Sequence, residues 1–387
     1  MNKKILVFLI LIYVLLNIPF NFVYFVFGGP NPWFLFFVLV LIVLDFSILY
    51  NGKVFLKRQE LFAALFLFLY SDVRLLIGGA QFSSWLVDLV NIIFIICLYD
   101  VVIIDRIVLR YLWKFFSSII IICSICVNLL FALYNVFPSF FSYESIGDYK
   151  MAVFPLLGNV YVGGHEPRYC WYFAEPSYLG FFLALYLLVL LIIKPNKYKL
   201  KTVLVISAGF LSGAMTFWLC LICSAIIGII KIFVPIRSYI YRMFFAVFIL
   251  ILLIVMLTFD FEEFVLYYDI FERNSFGDRQ YRMLLSKDIM EKMSFFDYLL
   301  GKGSNYVAMV YGSGESNSYY KLVVEYGVLF TVIIIYYLNR FIKNDLFFVA
   351  VVSGLMTVIL FLTPFLWMFV FLLYGMYLNS KTFNITK

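Results

Sequence analysis

Long apolar segments recur along the whole 387-residue chain and constrain its fold more than any other feature. A helix that crosses a bilayer needs about 20 predominantly apolar residues. The candidate spans are 5–27, 33–50, 61–80, 85–104, 115–137, 177–193, 243–259, 318–338, 346–362 and 365–379. Only 13% of the residues are charged, against about 25% in soluble domains. The sequence therefore predicts an integral membrane protein.

One further apolar run, residues 202–234, is too long for a single span. As one helix it would measure about 50 Å, whereas the hydrocarbon core is about 30 Å thick. A turn near Ser212-Gly213 would divide it into two short spans. The chain is then an all-α polytopic membrane protein, a single domain over residues 1–387 with about 12 transmembrane helices, ten or eleven being the alternative.

Basic residues orient these spans, because Lys and Arg concentrate in short cytoplasmic loops. The segments assigned to the inner side hold 19 of the 29 basic residues but only four of the 22 acidic ones, Glu60, Asp100, Asp105 and Asp345. The 19 are Lys3, Lys4, Lys53, Lys57, Arg58, Arg106, Arg110, Lys114, Lys194, Lys197, Lys199, Lys201, Lys231, Arg237, Arg242, Arg340, Lys343, Lys381 and Lys387. Both termini are therefore predicted to be cytoplasmic.

Two long segments, 138–172 and 260–316, are left on the outer side. Within the second, residues 283–300 place apolar side chains at helical spacing between charges, which predicts an amphipathic helix on the membrane surface. Gly301-Lys302-Gly303 would end this helix. The inner loops are short and contain no nucleotide-binding motif, which excludes an ATP-driven pump or an enzyme that uses a cytoplasmic nucleotide sugar.

Neither a metal nor a cofactor is predicted. His165 is the only histidine, so a multi-histidine metal site is excluded. The six cysteines fall mostly within apolar runs and are interpreted as small buried residues rather than a disulfide framework. The net charge of +7 is spread over short loops and forms no nucleic-acid patch.

The stretch from Arg168 to Gly180 is the strongest candidate for chemistry. Pro176 suits the first position of a helix, and the start of a helix favours anions. Arg168, with Arg279 and Arg282 of the second loop, could bind phosphate through paired hydrogen bonds. The alternative is that these arginines are interfacial charges.

Carboxylates are the candidate proton acceptors. Glu175 lies between aromatic residues and a helix start, where desolvation would suit it to proton transfer; it could equally act only as a helix cap. Glu325 lies inside a predicted span, where an ionisable group is a functional candidate by default, although it could simply pair with an arginine. His165 is a weaker candidate because a loop histidine is often incidental.

These features together resemble the O-antigen polymerase (Wzy) family, within the superfamily that includes O-antigen ligases. The first outer loop ends in an R…F-x-E-P-S-x-x-G segment, and the second ends in a G-x-G…N-S-Y…E-x-G segment. The matching residues are Arg168, Phe173, Glu175, Pro176, Ser177 and Gly180, then Gly301, Gly303, Asn317, Ser318, Tyr319, Glu325 and Gly327. The ligase branch typically places a histidine in its second large loop, and residues 260–316 contain none.

The resemblance implies glycosyl transfer at the periplasmic face of the bacterial inner membrane. A growing glycan would leave its undecaprenyl pyrophosphate carrier and join a new lipid-linked oligosaccharide repeat unit. Arg168, Arg279 and Arg282 would stabilise the departing pyrophosphate, Glu175 would activate the acceptor hydroxyl, and the substrate would also meet His165, Lys302, Asn317 and Glu325. The partners would be these lipid-linked oligosaccharides and membrane lipids, whereas binding of a chain-length regulator stays open.

Other classes of function are less well supported. A ligase-like transferase is the nearest alternative, and a transporter of lipid-linked oligosaccharides is the second. A transporter favours repeated halves and charges at the membrane midplane, but the sequence has no internal repeat and its outer charges lie mostly in loops. A non-catalytic scaffold would not need arginines at the same depth in two loops.

Overall fold

The computed structural model describes residues 3–17, 31–49, 82–146, 149–154, 157–162, 167–173, 175–193, 199–233, 240–242, 245, 247–248, 285–312 and 318–383. The molecule is mostly helical. The helices are α1 (Lys3–Asn17), α2 (Pro32–Leu49), α3 (Phe82–Ile104), α4 (Arg106–Val136), α5 (Pro176–Ile193), α6 (Lys199–Leu211), α7 (Met215–Phe233), α8 (Phe295–Leu300), α9 (Tyr306–Tyr311), α10 (Ser318–Lys321), α11 (Gly327–Phe341), α12 (Asp345–Gly354) and α13 (Pro364–Phe383).

Five helical stretches are long and apolar enough to cross a membrane: Pro32–Leu49, Phe82–Val102, Arg106–Val136, Met215–Phe233 and Ser318–Phe341. Shorter apolar helices cover Pro176–Ile192, Asp345–Gly354 and Pro364–Leu378. The prediction of a helical membrane protein is confirmed at this level, and the count of twelve spans stays a prediction. The candidate span 61–80 and most of 243–259 lie outside the described residues.

The long apolar run after residue 201 breaks at the expected place. Gly213 adopts a positive φ of 56°, a conformation that glycine reaches without steric cost. The Ser212 hydroxyl donates to the Gly209 carbonyl at 2.7 Å and accepts the Ala214 N–H at 3.3 Å. Both α6 and α7 pack against α5, so the run forms two helices joined by a tight turn.

Helix α4 starts nine residues before the predicted span at 115. Asp105 caps it by accepting hydrogen bonds from the N–H groups of Ile107 and Val108 at 2.8 and 3.4 Å. The helix therefore includes Arg106, Arg110 and Lys114, which the sequence analysis had placed in a loop. Hydropathy marks the part of a helix that suits lipid, whereas the cap decides where the helix begins.

Helix α5 is the centre of the bundle. Every residue from Leu179 to Leu190 is buried, as expected of a helix that is apolar on all sides. It packs against α4, α6, α7 and α12. Its first turn therefore has a position fixed by four neighbouring helices.

The apolar stretch after α12 does not form the predicted span 346–362. The helix ends at Gly354, and residues 355–363 follow an irregular path although most of them are buried. Irregular backbone at such depth is tolerated only where the protein satisfies its polar groups. Here the Leu355 carbonyl accepts the Ser318 N–H at 3.1 Å, and the Val358 carbonyl accepts the Ser318 hydroxyl.

The segment 138–172, predicted as the first outer loop, contains a small sheet that the sequence does not predict. Strands β1 (Ser142–Ile146), β2 (Tyr149–Phe154), β3 (Gly158–Tyr161) and β4 (Arg168–Trp171) pair antiparallel in the order β1-β2-β3-β4. Tyr169 of β4 packs edge-on against Phe131 and Tyr134 of α4, with ring centroids 5.5 and 6.2 Å apart. The sheet therefore rests on the end of α4 and carries Arg168 at its last strand.

From residue 285, where the described residues begin, the predicted surface helix 283–300 forms two helical pieces. The helix that includes residues 285–291 ends there, and Ser294 caps the new helix α8 in a reciprocal capping box with Asp297. Ile289 and Met293 pack against Val307 and Val324. The apolar face of the first piece therefore contacts protein. Gly301 ends α8 with φ 80°, as expected.

Residues that the sequence analysis assigned to the same side lie together. Lys3 pairs with Asp105 at 2.5 Å, and Asp345 pairs with both Lys231 and Arg242. All five were placed on the inner side. The compartment that this side faces stays a prediction.

Candidate functional site

The first motif segment is assembled around the start of α5. Phe173 is fully buried and lies 6.3 Å from the ring of Phe182. Gly180 faces the turn between α6 and α7 so closely that a Cβ atom there would lie 2.5 Å from the Cβ of Ala214. The segment therefore holds the first turn of α5 against the α6–α7 turn.

Arg168 lies across the same turn. A Cβ atom added to Gly213 would lie 2.9 Å from the Arg168 Cγ, so the aliphatic part of the arginine side chain covers this glycine. Its guanidinium group stands 4.8 Å from the centre of the Tyr161 ring, a cation–π contact. Glycine at 213 thus serves two purposes, since it allows the positive φ and leaves room for the arginine.

Glu175 lies at the N-terminal edge of α5 and is partly exposed. Its Oε2 accepts a hydrogen bond from the Ser177 hydroxyl at 3.0 Å, and its carbonyl accepts the Tyr178 N–H. The Arg168 and Glu175 charges both act on the thiol of Cys170, in opposite directions. Burial dominates at that thiol and raises the pKa of Cys170 to about 12, so it stays protonated at neutral pH.

The two halves of the second motif meet although they are separated by more than 20 residues. The N–H groups of Lys302 and Gly303 donate to the carbonyls of Val324 and Glu325 at 2.8 and 3.1 Å. Gly301 and Gly327 lie where the two segments cross. A Cβ atom on Gly301 would lie 2.5 Å from the Glu325 carbonyl oxygen, and one on Gly327 would lie 2.4 Å from the Leu299 carbonyl oxygen. The glycines therefore allow two backbones to touch beside Glu325. We call this contact the glycine crossing.

Glu325 is almost fully buried, with 1% of its surface exposed. It belongs to a π-helical turn, Leu322–Tyr326, between α10 and α11; such turns are frequent at functional sites. Its Oε2 accepts the Asn305 N–H at 2.8 Å and lies 3.7 Å from the Lys321 ammonium group. Asn305 has the left-handed φ of 64°, a conformation that asparagine tolerates.

A second carboxylate approaches the glycine crossing from a distant helix. Asp88, near the start of α3, accepts hydrogen bonds from the hydroxyls of Ser304 and Tyr326 on the same oxygen. Ser304 and Tyr326 are buried, whereas Asp88 is partly exposed. Asp88 is not among the residues that the sequence singles out, because its partners are 216 and 238 residues away in the chain.

The irregular segment 355–363 connects the two motif segments. Thr216, at the start of α7, shares a 2.7 Å hydrogen bond with Thr357. Ser318, at the start of α10, bonds to the carbonyls of Leu355 and Val358. A continuous set of contacts thus leads from the α6–α7 turn beneath Arg168 to the helix that carries Glu325.

Of the eight predicted site residues, four are described. Arg168 lies over the α6–α7 turn and Glu175 at the start of α5, and the charges of both act on the Cys170 thiol between them in the chain. Lys302 and Glu325 lie at the glycine crossing. The Lys302 ammonium group is bound to Asp297 at 2.6 Å. The remaining four, Arg279, Arg282, His165 and Asn317, lie outside the described residues.

Within the part of the chain that the structure describes, no group of three or more His, Cys, Asp or Glu side chains could hold a metal ion. The sequence has no significant match among protein-family models, curated proteins or solved structures. Inference about function therefore rests on the residues and their geometry, together with the resemblance in the two motif segments.

Proposed function

We propose that this protein is a glycosyltransferase of the bacterial inner membrane that polymerises oligosaccharide repeat units carried on undecaprenyl pyrophosphate. Its site would face the periplasm. The observation that carries the proposal is that distant parts of each motif segment meet. Arg168 lies over Gly213 in the α6–α7 turn, against which Gly180 of α5 packs. The glycine crossing joins residues 301–303 to residues 324–327. Hydrogen bonds from Thr216 and Ser318 to residues 355–358 connect these two places, both of which lie at helix ends.

The reaction needs positive charge where the pyrophosphate departs. The C–O bond between the anomeric carbon and the pyrophosphate breaks, and its electron pair leaves with the phosphate. Arg168 suits this role because its stem is fixed over Gly213 and its guanidinium group is held at the Tyr161 ring. A planar guanidinium group can give two parallel hydrogen bonds to phosphate oxygens. In this proposal Arg279 and Arg282 add to the same charge.

The acceptor sugar must lose a proton as its hydroxyl oxygen forms the new C–O bond. Glu175 is the proposed acceptor of that proton, because it lies at the start of α5, its charge and that of Arg168 act on the same Cys170 thiol, and it remains partly exposed. Glu325 is too buried to meet a sugar directly, so its proposed part is to hold the glycine crossing in place around the substrate.

The function is tested by glycan length in a strain that lacks this protein. We expect single repeat units in that strain and long chains when the parent protein is restored. Unchanged long chains in the deletion strain would refute the function.

The role of Arg168 is tested in the same strain with Arg168→Ala and Arg168→Lys. Losing a preorganised charge contact at the reacting centre costs about 2.7–4 kcal/mol, or roughly 10²- to 10³-fold in rate. We expect single repeats with alanine and poor rescue with lysine, at normal membrane levels of protein. Arg110→Lys is the matched control, because Arg110 is exposed on α4 away from the site. Parental chain length with Arg168→Lys would refute paired phosphate recognition, and Arg279 and Arg282 are tested in the same way.

A further inference from the structure

The N-terminal end of α3 carries two aromatic residues and a carboxylate on one face. Phe82, Trp85 and Asp88 are spaced three residues apart, which places them side by side on a helix. The rings of Phe82 and Trp85 lie 5.5 Å apart, and Phe82 is 54% exposed. Trp85 and Asp88 are partly exposed. This end of α3 is on the side that the sequence analysis assigns to the periplasm.

The carboxylate of this group is held in a defined position by the glycine crossing. The Ser304 and Tyr326 hydroxyls both donate to Asp88 Oδ2. The Tyr326 ring is itself stacked on Phe330 and packed edge-on against Phe361, with centroids 5.1 and 5.3 Å apart. Asp88 is therefore a rigidly placed acceptor of O–H donors, next to the segment that contains Glu325.

A pyranose ring matches this combination of groups. It has one face of C–H groups, which packs on an aromatic ring, and a rim of hydroxyls, which donate to a carboxylate. Aromatic side chains supply large apolar contact area, and a hydrogen bond to an ionised acceptor is stronger than one between neutral groups. Binding sites for small molecules typically combine apolar walls with a few placed polar groups.

We propose that Phe82, Trp85 and Asp88 form a sugar-binding subsite for the glycan of the lipid-linked repeat unit. This inference rests on the proposed function, because that function supplies the sugar. The subsite places the glycan at α3 and the glycine crossing, whereas the pyrophosphate belongs to the Arg168 side. It also gives the glycine crossing a purpose, since the crossing positions both Ser304 and Tyr326.

The test uses the full-length protein in lipid nanodiscs with two probes. The first is the lipid-linked repeat unit that accumulates in the deletion strain, used to measure the kcat and KM of polymerisation. The second is the same oligosaccharide released from its lipid by mild acid, used to measure binding by isothermal titration calorimetry, whose signal does not depend on Trp85. The variants are Asp88→Asn, which keeps an oxygen for Ser304 and Tyr326, and Trp85→Leu. Trp33→Leu is the matched control, since Trp33 is 66% exposed at the start of α2.

We expect Asp88→Asn and Trp85→Leu each to raise KM about 10-fold or more with kcat within about twofold, as expected for the loss of a charged hydrogen bond or an aromatic contact. The calorimetric affinity for the released oligosaccharide should weaken equally, and Trp33→Leu should behave like the parent. Parental KM and binding in the Trp85→Leu variant would overturn the subsite while leaving the polymerase function intact. This holds even if Asp88→Asn fails to accumulate, because Trp85 is tested separately.

The same measurements separate the two proposals. A parent protein that binds the oligosaccharide but does not polymerise the lipid-linked repeat would refute the proposed function and retain the subsite, provided that binding is lost in Trp85→Leu. A parent protein that neither polymerises nor binds would overturn both.

Discussion

The glycine crossing makes a quantitative prediction for Gly327→Ala. Gly327 has φ 78° and ψ 169°, a region that is essentially restricted to glycine and costs other residues about 1–3 kcal/mol. The added Cβ would also lie 2.4 Å from the Leu299 carbonyl oxygen and 2.7 Å from the Gly301 nitrogen. Both are backbone atoms that cannot rotate away, so an overpacking cost of about 1–3 kcal/mol is added. The substitution should therefore destabilise the protein by about 2–6 kcal/mol.

Two other glycines separate these contributions. Gly312 also has a positive φ, 70°, but nothing lies within 4 Å of the Cβ position, so Gly312→Ala carries only the conformational cost, about 1–2 kcal/mol. Gly228 lies inside α7 with only Leu346 Cδ2 near, at 3.7 Å. Gly228→Ala should be neutral or stabilise by up to about 1 kcal/mol.

The assay is thermal unfolding of the detergent-solubilised protein, followed by intrinsic fluorescence. The midpoint should be highest for Gly228→Ala and the parent, lower for Gly312→Ala and lowest for Gly327→Ala. A midpoint for Gly327→Ala equal to that of Gly312→Ala would refute the close contact between the two backbones, and with it the position assigned to Glu325.

Three further predictions concern the site and the topology. Glu175→Gln should stop chain growth while the protein accumulates normally in the membrane; full-length glycans would reduce Glu175 to its hydrogen bond with Ser177. Partial burial raises the pKa of Asp297, but hydrogen bonds from Lys302 and Ser294 outweigh it and hold the pKa below its ordinary value of 3.8. The stabilising effect of the Asp297 charge should thus be complete above about pH 4 and lost as the pH falls through the lower pKa of the folded state. The difference in unfolding midpoint between the parent and Asp297→Asn should therefore shrink at about pH 3. A difference of undiminished size at that pH would contradict this. Reporter fusions at Lys53, Lys197 and Lys343 should report the cytoplasm, and fusions at Lys150 and Lys287 the periplasm; a cytoplasmic signal at Lys150 would refute the orientation and the outward-facing site.

Local signals in the sequence determine much of the helical framework. The apolar runs predict most of the helices that the structure describes, because the 20-residue requirement of the bilayer leaves a strong pattern. Ser212-Gly213 predicts the break between α6 and α7, since an unbroken helix would be too long for the membrane. Pro176 and Gly301 mark a helix start and a helix end through backbone properties that belong to the single residue.

Hydropathy fails where burial in protein replaces burial in lipid. Residues 355–363 are as apolar as a membrane span, but they follow an irregular path because Ser318 satisfies two of their carbonyls. The sheet 142–171 escapes prediction for a related reason. Its strands are four to six residues long, too short for a clear alternation, and they are stabilised by pairing with one another and by packing on α4.

The candidate site is divided in the same way. The sequence by itself singles out Arg168, Glu175 and Glu325, because a charged residue is conspicuous beside or inside an apolar run. It contains no signal that joins Asp88 to Tyr326, which is 238 residues away, or Gly301 to Gly327. Those contacts exist only because the packing of α3, α8 and α11 brings their ends to one place, and contact between distant residues is a property of the tertiary structure alone.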